Sequence, residues 1–182
     1  MEKKNAISKA YNKTAKFYDR RYRRIQRAKH DFLLRNIRLS PDDFILDVGC
    51  GTGIFMERIG HIVNKMIGID VSKRMLRTAA SRVSGGFFVL ADVDSLPFRK
   101  NIFSKVFSIT LLQNVPNPFN SLRELARLIR KNGFLAVTVL RKKMAVEEFR
   151  KLLEKTKLDG IKVGQVPKSE DIWGIGVALS AS

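Results

Sequence analysis

The sequence predicts an α/β fold, a parallel sheet joined by crossover helices, and three observations carry that prediction. From residue 44 onward, short apolar runs alternate with segments of helical period. The first run, Phe44–Val48, breaks into Gly49-Cys50-Gly51-Thr52-Gly53, whose glycines let the backbone turn tightly and approach a ligand closely. The second run, Met66–Asp70, ends on a carboxylate placed to bind a ribose diol from across a crevice.

The elements follow in order. Asp19–Arg38 reads as a helix on which Arg20, Arg23, Arg24 and Arg27 fall within an arc of about 100°, with Tyr22, Ile25, Phe32 and Leu33 opposite them to pack on the domain. Ser40-Pro41-Asp42-Asp43 is a turn, so residues 1–39 form a basic helical arm and 40–182 the main domain. After strand Phe44–Val48, a helix starts at Ile54 and buries Phe55, Ile59 and Ile62. Beyond strand Met66–Asp70, Ser72 caps a helix running through Arg82. Strands are expected at Phe87–Leu90 and Val106–Leu112. Leu122, Leu125, Ala126 and Ile129 then mark a helix with Gly133 just past its end. Strand Phe134–Leu140, a helix that turns Val146, Phe149 and Leu153 inward, and strands near 161–166 and 173–179 complete the chain.

The glycine spacing narrows the ligand. Dinucleotide loops read G-x-G-x-x-G and serve a pyrophosphate, whereas this loop reads G-x-G-x-G and follows Asp47. A fixed carboxylate repels a pyrophosphate and suits a cation such as the ammonium of an amino acid. A ribose at one end and an amino acid at the other describe S-adenosylmethionine.

Leu46–Gly53 resembles motif I of the class I S-adenosylmethionine-dependent methyltransferases, and Asp70 resembles their motif II acid. Ala91–Phe98 is similar to the segment in which an acid, here Asp92, binds the adenine amine. Phe103–Pro118 resembles the family's fourth strand and loop, and Leu122–Gly133 the helix and turn after them. The likeness covers residues 40 to 140. It implies a Rossmann-like, seven-stranded, mostly parallel sheet with helices on both faces and an antiparallel last strand, with S-adenosyl-L-methionine as cofactor. Asp47, Gly49, Gly51 and Gly53 would then frame the cofactor, Asp70 would hold its ribose, and Val71 and Met75 would border the adenosine. Asp92 and Val93 would read the adenine. Tyr11, Phe17 and Tyr18 resemble N-terminal aromatics that lid the cofactor in relatives; alternatively, they are a hydrophobic anchor for the arm.

Methyl transfer from an activated sulfonium needs alignment and exclusion of water more than proton chemistry. No Ser-His-Asp set or metal-ligand spacing is present; His30 and His61 read as ordinary core or surface residues, and Cys50 as a turn residue. The acceptor side falls to the loop after strand four, with Gln113, Asn114, Pro116 and Asn117 as catalytic candidates and Phe119 placed to stack on a base. The bland alternative is that Pro116 and Pro118 shape a connection and Asn120 caps the next helix. The N-P-P-Y signature of many base-amine methyltransferases is absent, Ser108-Ile109-Thr110-Leu111 standing in its place, and Ser104 replaces an acid common in the family.

Charge supplies the substrate expectation. Thirty-five Lys and Arg against seventeen Asp and Glu leave +18 over 182 residues, and +10 of it lies in residues 1–38. Half of the cations lack an acidic counterpart, which points to a polyanionic partner. The expected substrate is structured RNA, ribosomal or transfer, methylated on a base nitrogen such as a cytidine exocyclic amine. Tyr11, Arg20, Arg23, Arg24, Arg27 and Phe119 would contact it. The alternatives are a small-molecule methyltransferase and a non-catalytic RNA-binding protein that kept the fold. One cysteine, no apolar run of about 20 residues and no leader pattern give the expectation of a cytoplasmic protein without a membrane partner, monomeric or a small homo-oligomer.

Overall fold

The computed structural model describes residues 24–179. Residues 24–36 are helical (α1). Then follow β1 (Phe44–Val48), α2 (Ile54–Ile59), β2 (Lys65–Asp70), α3 (Lys73–Arg82), β3 (Gly86–Leu90), β4 (Phe103–Ile109), a 3₁₀ turn (Leu112–Asn114), α4 (Pro118–Arg127), β5 (Ile129–Leu140), α5 (Val146–Glu154), β6 (Asp159–Gln165) and β7 (Asp171–Val177).

The seven strands form one sheet in the order β3-β2-β1-β4-β5-β7-β6. β1 to β5 are mutually parallel, while β7 pairs antiparallel with both β5 and β6. This is the Rossmann-like sheet with an antiparallel last strand that the sequence led us to expect. Strand alternation sends Ile45, Met66, Phe107 and Ala136 to a core layer with Leu33, Phe55 and Leu76 of α1, α2 and α3. Leu46, Val106, Leu135 and Val137 face the other layer, with Leu122 and Leu125 of α4 and Phe149 and Leu153 of α5. Both faces of the sheet are therefore covered. No helix among the described residues is long and apolar enough to cross a membrane.

Several boundaries differ from expectation. β4 starts at Phe103 and stops at Ile109, because Thr110 takes φ 61°, a left-handed conformation that no strand continues through. The chain then closes into the 3₁₀ turn. α4 begins at Pro118, with Asn117 and not Asn120 as its cap. The Asn117 side-chain oxygen accepts the Asn120 amide at 3.1 Å, and proline at the first helical position leaves no donor idle. Ile129 has already left that helix to pair with Phe103, which places Gly133 inside β5. After α2, Val63 is buried and Ile62 only partly so.

α1 is built into the domain. Leu33 and Ile37 belong to its core, Phe32 packs against Trp173, and Asp31 pairs with Arg58 of α2. Ile25, expected on the packing face, is 48% exposed instead; Lys29 and His30 occupy the buried side, at 2% and 3%.

Candidate functional site

The order β3-β2-β1-β4 reverses the chain's direction of travel across the sheet between β1 and β4, and the loops leaving those strands part there into a crevice. A cleft of about 760 Å³ opens at this point, lined by Gly51, Asp70, Met75, Asp92, Thr110 and Asn114 among others. A second hollow of about 380 Å³ shares Gly49, Gly51 and Ile109 with it and reaches Asp47 and the α1 residue His30. Together they form a two-part site around the glycine loop, the larger part mostly apolar.

The glycine loop is tied to the end of β2. Gly49 and Cys50 donate their amides to the Ile69 carbonyl at 2.8 and 2.9 Å. The Gly51 amide donates to Asp70 Oδ2 at 3.0 Å, and the Ser72 amide donates to Oδ1 at 2.8 Å. Gly51 has φ 54°, and a Cβ built there meets no protein atom within 4 Å; it would project into open space beside the cleft. Gly53, at φ 77°, has the opposite surroundings, since its Cβ would lie 3.0 Å from Ala79 Cβ and 3.1 Å from Val83 Cγ2. One glycine keeps a cradle open, and the other lets α3 pack against the loop.

Electrostatics separate the two chambers. Asp47 is 2% exposed and receives no hydrogen bond from any described residue. Burial, and next the charge of Asp70, push its carboxyl up to about 7. Asp70 is raised by burial too, against the lowering effect of hydrogen bonds from the Ser72, Gly51 and Val71 backbone. His30 stacks on Phe55 at 5.1 Å between ring centroids, and its Nδ1 has no partner. Burial, with the charges of Arg58 and Lys29, holds this imidazole at about 3, so it is neutral at pH 7. A buried carboxylate without a counter-ion is complete only with a cation beside it. The ammonium group of S-adenosylmethionine meets that need, and Asp70 on the larger chamber suits the ribose, so these residues fit the cofactor.

Asp92, Val93, Val71 and Met75 all line the larger chamber. Asp92 Oδ1 accepts the Asp94 amide at 3.1 Å, which braces the segment. Asp94 in turn accepts the Ser121 hydroxyl of α4 at 2.5 Å, tying the segment to that helix.

The acceptor loop is divided. Of the four catalytic candidates, Asn114 lines the cleft, together with Val115. Gln113 turns back and donates from Nε2 to the Thr110 carbonyl at 2.7 Å, leaving Oε1 buried without a partner. Pro116 is exposed, and the Asn117 side-chain oxygen is engaged in capping α4. Phe119 is half-buried in the first turn of that helix. Arg24 and Arg27 stand exposed on α1, Arg27 lying 4.0 Å from Asp31. Tyr11, Tyr18, Arg20 and Arg23 lie outside the described residues. Burial pushes the Cys50 thiol well up, away from any nucleophilic role. No group of potential metal ligands occurs among the described residues.

Sequence reasoning missed the group behind the cleft wall. Lys29 of α1 reaches Asp171 of β7 at 3.1 Å and donates to the Thr110 hydroxyl at 2.5 Å. A lysine among thirteen arm cations carries no mark of burial; its only signal is that it falls on the helix face opposite Arg24.

Comparison with known proteins gives the family and the fold. Residues 46–137 match the family described as a methyltransferase domain. The malonyl-[acyl-carrier protein] O-methyltransferase of Buchnera aphidicola subsp. Baizongia pistaciae is 35% identical over 138 residues, 75% of this chain and 55% of that protein. The chain spans about half the length of the curated relatives it matches. Among solved structures, a methyltransferase in complex with the Haloferax volcanii Trm112 methyltransferase activator superposes with a TM-score of 0.78 at 17% identity, covering 93% of this chain and 98% of that one. The geranyl diphosphate C-methyltransferase of Streptomyces coelicolor A3(2), solved with S-adenosyl-L-homocysteine, superposes at 0.73 with 12% identity over 86% of this chain and 80% of its own.

Proposed function

Since the chain belongs to the S-adenosylmethionine-dependent methyltransferases, we propose that it transfers a methyl group to a base nitrogen of structured RNA, with a cytidine exocyclic amine as the leading target. The sulfonium supplies an activated methyl carbon; the protein's part is to align it with the acceptor and keep water away. Asp47 and His30 would enclose the amino-acid end of the cofactor, Asp70 would hold the ribose hydroxyls, and Asp92 with Val93 would receive the adenine. Asn114, on the cleft wall, would hydrogen-bond the edge of an extruded base. Unstacking that base costs on the order of a few kcal/mol, which contacts to flanking phosphates offset.

The observation that carries the RNA reading is the two-sidedness of α1. Its buried side bears Lys29 and His30 against the site, and its outer side presents Arg24 and Arg27 to solvent. A cationic face is thereby carried on an element that itself forms part of the cofactor chamber. Incubation with methyl-labelled cofactor and RNA lacking the modification tests this: label enters one RNA class and falls steeply with added salt. Replacing Arg24 and Arg27 by alanine lowers the salt slope of RNA binding by about 1.4 to 1.8 without changing affinity for S-adenosylhomocysteine. Labelling of no RNA class would overturn the proposal.

A second reading rests on the 35%-identical relative, whose name specifies methylation of a carrier-protein-bound acid. It requires transfer to a carboxylate that persists after Arg24 and Arg27 are removed. The neighbour solved with an activator protein also supports a protein partner here. β3 is one of the sheet's two edges, and it leaves Phe87 and Leu90 71% and 57% exposed, an apolar strand that gains from being covered. Mixing with a Trm112-type protein followed by size exclusion gives a 1:1 complex if that partner docks, and separate peaks if it does not.

A further inference from the structure

Thr110 is the point where three parts of the fold meet. It lines the cleft, it follows the last residue of β4, and its φ of 61° is a conformation that threonine rarely adopts. Such a backbone persists only where its surroundings hold it, and here the holding groups are all visible. The Thr110 amide donates to the Thr138 carbonyl at 2.9 Å and to the Thr138 hydroxyl oxygen at 3.0 Å. Its own hydroxyl accepts from Lys29 Nζ at 2.5 Å and donates to Asp171 Oδ1 at 3.2 Å. Its carbonyl accepts from Gln113 Nε2 at 2.7 Å, which fixes the start of the acceptor loop. Lys29 and Asp171 close the circle at 3.1 Å, with side chains 2% and 0% exposed, and the Ser169 hydroxyl donates to Asp171 Oδ2 at 2.7 Å.

A buried ion pair is a poor source of net stability, because removing two charges from water offsets most of their attraction. Apolar residues of the same shape would serve cohesion at least as well. What apolar residues cannot supply is a directed hydrogen bond on each side of the Thr110 hydroxyl. We propose that Lys29 and Asp171 are positioning residues: they set Thr110, and through it the cleft wall of Leu111, Asn114 and Val115, in the geometry that receives the cofactor and presents the acceptor loop. Lys29 thus ties the basic arm to the cleft wall at Thr110, beside the His30 contact with the smaller chamber. The proposal rests on reading the cleft as the cofactor site.

The experiment compares two paired replacements in the full chain. Lys29→Met with Asp171→Leu removes both charges and both directed bonds at nearly constant shape, whereas Lys29→Gln with Asp171→Asn removes the charges and keeps groups able to bond Thr110. Thermal unfolding, calorimetry with S-adenosylhomocysteine and amide hydrogen exchange over residues 110–115 are read for each. The apolar pair is expected to unfold within about 5 °C of the parent, yet to bind S-adenosylhomocysteine about tenfold more weakly and exchange the 110–115 amides about tenfold faster. The amide pair recovers most of both losses. Parental affinity and exchange in a stable apolar pair would overturn the proposal and leave the ion pair a cohesive element alone. Should the apolar pair not fold, Thr110→Val replaces it, because it deletes the hydroxyl and leaves the ion pair in place; unchanged exchange in that variant overturns the proposal equally. If the parent protein itself ignores S-adenosylhomocysteine, the cofactor reading of the cleft fails, and the exchange data decide the positioning role separately.

Discussion

The Asp70 carboxylate accepts the Gly51 amide at 3.0 Å, so the end of β2 holds the apex of the loop that leaves β1. The acid expected to bind the ribose therefore also shapes the cradle around it. Asp70→Ala should impair both functions. With hydrogen bonds to a charged acceptor contributing about 1.5–3 kcal/mol each, S-adenosylhomocysteine affinity should fall by at least tenfold. The thermal midpoint of the unliganded protein should also drop, as the Gly51 and Ser72 amides lose their partner. Calorimetry and thermal unfolding measure the two effects.

Two buried groups should give the stability–pH curve opposing slopes. The Asp47 carboxyl, raised to about 7, binds its proton in the folded chain where the unfolded chain has released it, so its contribution is full below about pH 4 and is lost as pH rises through 7. His30, held at about 3, is neutral in the folded chain where the unfolded chain is protonated, so its contribution is present above about pH 6.5 and lost as pH falls through 3. Between about pH 4 and 6.5 the two terms cancel. Asp47→Asn should expose a rising slope of up to about 1.4 kcal/mol per pH unit in that window, and His30→Phe a falling one. Urea unfolding at half-unit pH steps reads both. A cationic ligand favours ionised Asp47, so affinity for S-adenosylmethionine should increase as pH passes from 6 to 8.

The loop glycines should separate folding from binding. Gly53→Ala forces a methyl against Ala79 and Val83 in a left-handed backbone and should destabilise by roughly 2–4 kcal/mol. Gly51→Ala carries only the backbone strain, about 1–2 kcal/mol, since its methyl meets nothing. That methyl projects beside the cleft, so Gly51→Ala should lose more cofactor affinity than its small loss of stability suggests. Chemical denaturation and calorimetry, run on both variants, give the comparison.

Asn114 and Asn117 lie three residues apart and should behave differently. Asn117→Ala removes the α4 cap and about 1 kcal/mol of stability, with methyl transfer retained. Asn114→Ala should reduce transfer by an order of magnitude or more at saturating cofactor. Equal transfer by the two variants would remove Asn114 from the acceptor side.

Local patterns made much of this molecule readable in advance. The apolar runs of β1 and β2, the glycine spacing, Asp70 at a strand end and Ser72 as the α3 cap are each set by neighbours in sequence, and the structure places them accordingly. Asn117-Pro118 carried an equally local signal, proline after a capping asparagine, which the apolar stripe beginning at Leu122 obscured. Ile25 and Lys29 were a different matter. Helical periodicity assigns hydrophobic residues inward and charges outward, but a lysine goes inside when an acid waits there. Asp171 is 142 positions away and reaches Lys29 only because β7 runs antiparallel beside β5. Thr110 owes its backbone to the same long-range partners, so nothing in the residues around it announced where β4 would stop.

β7 lies between β5 and β6, so the last of these seven strands in chain order is an internal one. During synthesis, β1 to β5 emerge first and can pair with one another while the flank of β5 still lacks its neighbour. Lys29, translated early, must then wait for nearly the whole domain before its counter-charge exists. A nascent chain halted before Asp171 would display the glycine loop and the apolar strands while Lys29 still lacked its acid, so the wall behind the cleft closes only once β7 is in place.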